Sequence, residues 1–131
     1  MRRLILAVIV AATSSTALAS GLDGIWKTSA DDDGNYLEVT LAPCTSDASK
    51  TCGTISKAFT PQGQDLKYEN LGKAIVTHMS SHNGKKYSGG TVWDPEKNKT
   101  YKSKLNLKGD TLDVEGCISF ICIGQDWTRV K

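Results

Sequence analysis

The sequence predicts an all-β fold, an eight-stranded antiparallel up-and-down β-barrel. Two observations predict it: apolar residues recur with a period of two, and hairpin turn signals separate the alternating runs at short intervals. Leu37, Val39 and Leu41 alternate with Tyr36, Glu38 and Thr40. Tyr101, Ser103, Leu105 and Leu107 alternate with Lys102, Lys104 and Asn106, and Leu112 and Val114 alternate with Asp113 and Glu115. Such alternation sets one face of each segment in a core and the other in water, as antiparallel strands do. An open eight-strand meander exposes two edges, and closure into a barrel removes both. A two-sheet β-sandwich fits the same pattern and is the alternative.

The chain has 131 residues, enough for one domain at about 100–200 residues each. It opens on Met1-Arg2-Arg3, then apolar residues 4–12, a small polar stretch, and Ala17-Leu18-Ala19. A basic start, a short apolar run and a small-x-small end are the parts of a signal peptide. At about 1.5 Å per residue the apolar run spans half a hydrocarbon core, too little for a transmembrane helix. Residues 1–19 are therefore expected to be a signal peptide and 20–131 a single exported β-barrel domain, periplasmic or extracellular. No cysteine follows Ala19, which disfavours a lipid anchor.

Strands are expected at 24–30, 35–42, 51–58, 73–79, 85–93, 100–107, 111–118 and 122–130. Asp33-Gly34 and Asn83-Gly84 are tight hairpin signals. Asp94-Pro95 opens a proline-set turn that ends on Asn98, and Lys108-Gly109-Asp110 closes the next pair. Gly89-Gly90 inside the fifth strand fits the bulge or bend that a small barrel needs. Only residues 61–72 lack alternation, and they are expected to hold a helical turn or a long loop.

Removing Arg2 and Arg3 lowers Lys+Arg from 16 to 14, equal to the 14 Asp+Glu, none of which lies in residues 1–19. No run of basic residues is left to track a phosphate backbone, so nucleic acid is not an expected partner. Cys44, Cys52, Cys117 and Cys122 make an even count in a short exported chain, which reads as two disulfides. Sequence allows three connectivities. The spacing favours the local pairs Cys44–Cys52 and Cys117–Cys122, and a four-thiolate zinc site would need closer C-x-x-C pairs.

Gly24-Ile25-Trp26 opens the first strand and Arg129 lies near the end of the last. In a closed barrel these strands are neighbours, so Arg129 is expected to lie across the Trp26 indole and close one end. This G-x-W plus late arginine resembles the lipocalins and the wider calycin group, a likeness that implies a small barrel of the kind that often binds apolar molecules. A second resemblance rests on Cys52-Gly53, Ser88-Gly89-Gly90-Thr91-Val92-Trp93-Asp94-Pro95, Lys99-Thr100-Tyr101, Gly116-Cys117 and Gln125-Asp126-Trp127-Thr128-Arg129. In that order they are similar to an uncharacterised family of secreted bacterial proteins, domain of unknown function 2147 (DUF2147). The resemblance implies an exported bacterial β-barrel and no particular activity. Asn98 stands where the family has a turn glycine, a substitution the left-handed region allows. Residues 61–72 depart from the family's Asn-Pro-containing loop. Gly24, Trp26, Gly89, Gly90, Asp94, Trp127 and Arg129 are expected to be structural.

Asp31-Asp32-Asp33-Gly34-Asn35 lacks the glycine and glutamate spacing of a calcium loop and reads as a charged hairpin tip. His78 and His82 fall in a turn region and read as surface histidines, so no metal or cofactor is expected. There is no G-x-S-x-G, H-E-x-x-H or P-loop, and oxidised cysteines are not nucleophiles, so an enzyme is not expected. The reading that remains is a barrel binding a small apolar or amphipathic molecule, lined by the inward set Leu37, Val39, Leu41, Ser103, Leu105, Val114 and Gln125. The alternative is a cell-envelope protein-binding or inhibitor module that uses its loops and outer face. A solvent-filled cavity favours the first, and a filled barrel with an exposed apolar patch favours the second.

Overall fold

A computed structural model describes residues 21–131, so the expected signal peptide lies outside the described residues. Nine strands follow in order: β1 Gly24–Lys27, β2 Tyr36–Pro43, β3 Thr51–Thr60, β4 Gly63–Gln64, β5 Ala74–Ser81, β6 Lys86–Asp94, β7 Lys99–Lys108, β8 Thr111–Ile118 and β9 Ile121–Arg129. Every neighbouring pair is antiparallel. The order β2-β1-β9-β8-β7-β6-β5-β3 returns on itself because β2 also pairs with β3. The result is a closed eight-stranded barrel, with β4 a two-residue spur on β3. No sandwich forms.

Each turn is set by its residues. The Asp31 carboxylate accepts from the Asp33 and Asn35 amides at 2.9 Å each, which fixes the β1–β2 loop. Asn83 accepts from Lys85 and Lys86 and holds the β5–β6 turn. Asp94 Oδ1 accepts from Glu96 N at 2.9 Å, and Asn98 takes φ 50° to close the β6–β7 turn. These are side chains that hydrogen-bond their own local backbone in place of a ladder. Residues 61–72 form no helix. Thr60 pairs with Gly63 to make the β4 spur, and the rest is tied to β3 where Asp65 N donates to Ala58 O and Gly72 N to Ile55 O.

Bulges curve the sheet into the barrel. The β6–β7 register shifts between Tyr87 and Gly90, where Gly89 has φ 86°. A Cβ on Gly90 would collide with the Thr77 carbonyl oxygen of β5, so only glycine lets the two strands come this close. Loops at one end of the barrel are β2–β3, β5–β6 and β7–β8, together with residues 21–23. Loops at the other end are β1–β2, β3–β5, β6–β7 and β8–β9. We call these the closed and open ends.

Two disulfides are formed. Cys44–Cys52 clamps the β2–β3 hairpin at the closed end, and Cys117–Cys122 clamps the β8–β9 hairpin near the open end. Both join residues close in sequence, and the first has Ala42 opposite Cys52 in the ladder.

Candidate functional site

At the closed end the Trp26 indole N–H donates to Leu22 O at 2.8 Å, and both side chains are fully buried. The Arg129 guanidinium lies 4.3 Å above the Trp26 ring. Its nitrogens donate to the carbonyls of Gly21 and Asp23, and its Nε is 3.4 Å from the Asp110 carboxylate. Gly24, at φ 138°, faces the Lys131 carbonyl so closely that a Cβ would collide with it. This end is a plug of protein groups and offers no surface to a guest.

The barrel interior is packed with side chains. Trp26, Tyr87, Met79, Ile55, Leu112 and Val76 are essentially without exposure, and Trp127 packs with them. Of the inward set expected from the sequence, Val39, Leu41, Leu105 and Val114 belong to this same core. Ser103 is buried beside them with its hydroxyl donating to Glu115 O at 2.8 Å. Their surface is already covered by protein, so the structure does not bring them together as the lining of an open pocket. Leu37 is half-buried against the core. Gln125 is exposed rather than enclosed, and its Oε1 accepts from Trp127 Nε1 at 2.9 Å. The physical reason is size. An eight-stranded barrel is just wide enough for its own side chains, and the large Trp26, Tyr87 and Met79 fill it.

Accessible recesses lie instead at the open end. The β7–β8 ladder stops at the pair Lys102 and Cys117. Beyond it, β7 stays with β6 while Ile118 turns away with β9. The two hairpins diverge and leave a notch of about 450 Å³ lined by Lys99, Thr100, Tyr101, Lys102, Ile118 and Ser119, with Cys117 at its base. Tyr101 covers Gly116, since its Cβ would lie 3.3 Å from a Cβ added there. On the next strand Ile123 stands opposite Gly116, and Gln125 opposite Val114. The notch thus opens beside a wall of Tyr101, Ile123 and Gln125 that continues the inner face of the barrel. A smaller recess of about 250 Å³ lies on the outer side of β5, β6 and β7, between Ile75, Thr77, Thr91, Trp93 and Thr100.

Around the barrel, the β1–β2 and β6–β7 loops stand on opposite sides of the open end. They bring the carboxyl groups of Asp31 and Glu96 close enough to shift each other's titration. The backbone N–H of Asn35 holds Asp31 below its ordinary value. Glu96 is pushed up first by the hydrogen bond to Asp31, then by burial and by the charges of Asp31, Asp94 and Asp33.

The histidines are exposed and apart in their bonding. His78 meets Ser46 at 3.2 Å and His82 meets Ser88. Glu115, Cys117 and Cys122 lie close enough to suggest a metal group, but both sulfurs are spent in the disulfide and offer no thiolate. The sequence reading missed the β8–β9 tip. Ile118, Phe120, Ile121 and Ile123 are 67%, 100%, 70% and 77% exposed, the largest apolar exposure on the open end. The available signal was an apolar run across a turn, with no charge from 116 to 124.

A closed eight-stranded antiparallel barrel, plugged at one end by tryptophan and arginine, is a lipocalin-like architecture. A solved structure shares it: the protein HP1028 from the human pathogen Helicobacter pylori, described as belonging to the lipocalin family. The TM-score is 0.63 at 12% identity, over 84% of this chain and 83% of that one. Residues 24–129 match the family described as "Uncharacterized protein conserved in bacteria (DUF2147)", and the chain belongs to that family. No curated protein matches it in sequence.

Proposed function

We propose that the protein is an exported, non-enzymatic binding protein for a small amphipathic molecule, which it holds at the open end of the barrel. The observation that carries this reading is the notch between β7 and β8. Its volume of about 450 Å³ falls within the range of about 300–1,000 Å³ common for small-molecule sites. Tyr101 and Ile118 give it an apolar wall, and Lys99 and Lys102 give it two cationic groups. Apolar contact contributes at ~25 cal/mol per Å² removed from water, and micromolar affinity needs about −8 kcal/mol after the cost of immobilisation. A medium-chain acid suits such a wall, its tail along Tyr101 and Ile118 and its carboxylate at a lysine. The two disulfides support an oxidising, exported setting.

The test is a titration of the disulfide-intact protein with dodecanoate and with 1-dodecanol, followed by tryptophan fluorescence and calorimetry. Saturable binding in the micromolar range is expected, tighter for the acid. Tyr101→Ala should weaken it about tenfold. If neither compound saturates, or if Tyr101→Ala binds like the wild type, the notch is not the site.

A further inference from the structure

The β8–β9 tip carries a second kind of surface. Ile118 and Ile121 form the last rung of the hairpin, Ser119 at φ 55° makes the turn, and Phe120 stands fully exposed at its end. One rung inward Cys117 and Cys122 are bonded, so the tip is a short six-residue ring that cannot fold back and bury its own apolar groups. Lys99 and Lys102 line the notch beside Ile118 and Ser119. Neither makes an ion pair among the described residues; in the β6–β7 ladder Lys99 stands opposite Asp94 and Lys102 opposite Thr91.

We propose that this hairpin docks the protein on a phospholipid surface, Phe120 and Ile121 entering the bilayer interface and Lys99 and Lys102 meeting anionic headgroups. The size of the patch favours a lipid surface over a second copy of the chain. Its exposed apolar side chains are Ile118, Phe120, Ile121 and Ile123, roughly a few hundred Å² in all, while a stable two-fold interface needs about 800 Å² from each partner. At about 3.4 Å per residue, the tip stands roughly 7–10 Å beyond the disulfide rung, the depth to which interfacial segments enter at about 5–10 Å. Asp31, Asp32 and Asp33 lie in the β1–β2 loop, Asp94 ends β6 and Glu96 lies in the β6–β7 turn, so the acidic groups flank the β8–β9 tip, which carries none itself. The apolar tip is then the main contribution and the lysines a smaller one. Insertion of the tip rests on the hairpin and not on what occupies the notch; only the smaller headgroup contribution of Lys99 and Lys102 is shared with it.

The experiment is co-sedimentation of the disulfide-intact protein with phosphatidylcholine vesicles, with and without about a third phosphatidylglycerol. Binding to both is expected, several-fold stronger with the anionic lipid and reduced by salt towards the neutral level. Phe120→Asp should lower the partition coefficient at least tenfold while leaving the melting temperature and dodecanoate binding unchanged, because Phe120 neither packs in the core nor lines the notch. Phe120→Trp should retain binding and shift its emission to the blue on vesicles. The proposal is overturned if the wild type sediments with neither vesicle, or if Phe120→Asp partitions equally. It is also overturned if the tip proves buried in a dimer by light scattering, or engages a protein while vesicles leave it untouched. Loss of dodecanoate binding with intact vesicle binding would overturn the notch reading and leave this one standing.

Discussion

Arg129 acts through several bonds at once. Its planar group stacks on Trp26, ties down two carbonyls of residues 21–23, and meets Asp110 at the β7–β8 turn. A cation–π contact contributes about 0.5–2 kcal/mol according to burial, and the arginine stem adds apolar packing. Arg129→Ala is expected to lower unfolding free energy by roughly 1–3 kcal/mol, and Arg129→Lys to recover only part, since an ammonium neither stacks nor forks. Urea unfolding measures both, and melting of both variants with the wild type would remove the plug from the account. Leu105 offers a contrasting case. It is 2% exposed within the packed core, so Leu105→Trp has no void to enter and should destabilise by about 1–3 kcal/mol through overpacking. Stability at or above wild type would reveal an internal cavity.

Among the elements, the two stapled hairpins differ in what they hold. Cys44–Cys52 closes a nine-residue ring and Cys117–Cys122 a six-residue one, each with a chain-entropy contribution of roughly 2–3 kcal/mol. Cys44 is buried and its ring ties β2 to β3. The Cys117–Cys122 ring holds an exposed tip. Cys44→Ser with Cys52→Ser should therefore cost global stability by thermal unfolding. Cys117→Ser with Cys122→Ser should cost less, because the tip loses order without opening the core. Equal losses would show that the tip is coupled to the barrel. The strands themselves were legible because alternation reads directly as faces, and all eight barrel strands fall within a few residues of their expected spans. Alternation reports which way a side chain points but not whether protein or water lies there. Val39 and Ile123 look alike in sequence, one buried in the core and the other 77% exposed beyond the barrel rim. The β4 spur escaped for a different reason, since two residues carry no period.

For the molecule as a whole, the carboxyls of Asp31 and Glu96 shift each other's titration and couple the β1–β2 and β6–β7 loops across the mouth. Glu96 is raised in the folded state, so its contribution is present at low pH and is lost as pH rises through its folded value. Asp31 is lowered, so its contribution is present at higher pH and is lost as pH falls through its folded value. Stability from this pair therefore peaks between the two. Melting temperatures between about pH 3 and pH 8 should show a decline on the alkaline side of the Glu96 transition. Glu96→Gln keeps a donor without a titrating proton and should flatten that decline; an unchanged profile would mean the pair carries no stability. The closed end was legible, since G-x-W and a late arginine imply neighbours across the β1–β9 closure; the filling of the interior was not, since the same inward residues can line a pocket or pack a core. The mouth was not, because Asp31 and Glu96 are far apart in sequence and only barrel closure brings their loops face to face.

That closure is uneven. β1 meets β9 over only two register pairs, Trp26 with Arg129 and Lys27 with Thr128, while β7 and β8 share seven. The joint is completed by Ile25 donating to Lys131 and accepting from Val130. In hydrogen-exchange terms the barrel has a zipper with one short row of teeth: the amides of Ile25 and Val130 should exchange well before those of Leu105 and Val114, and the first opening of the cylinder runs along this line.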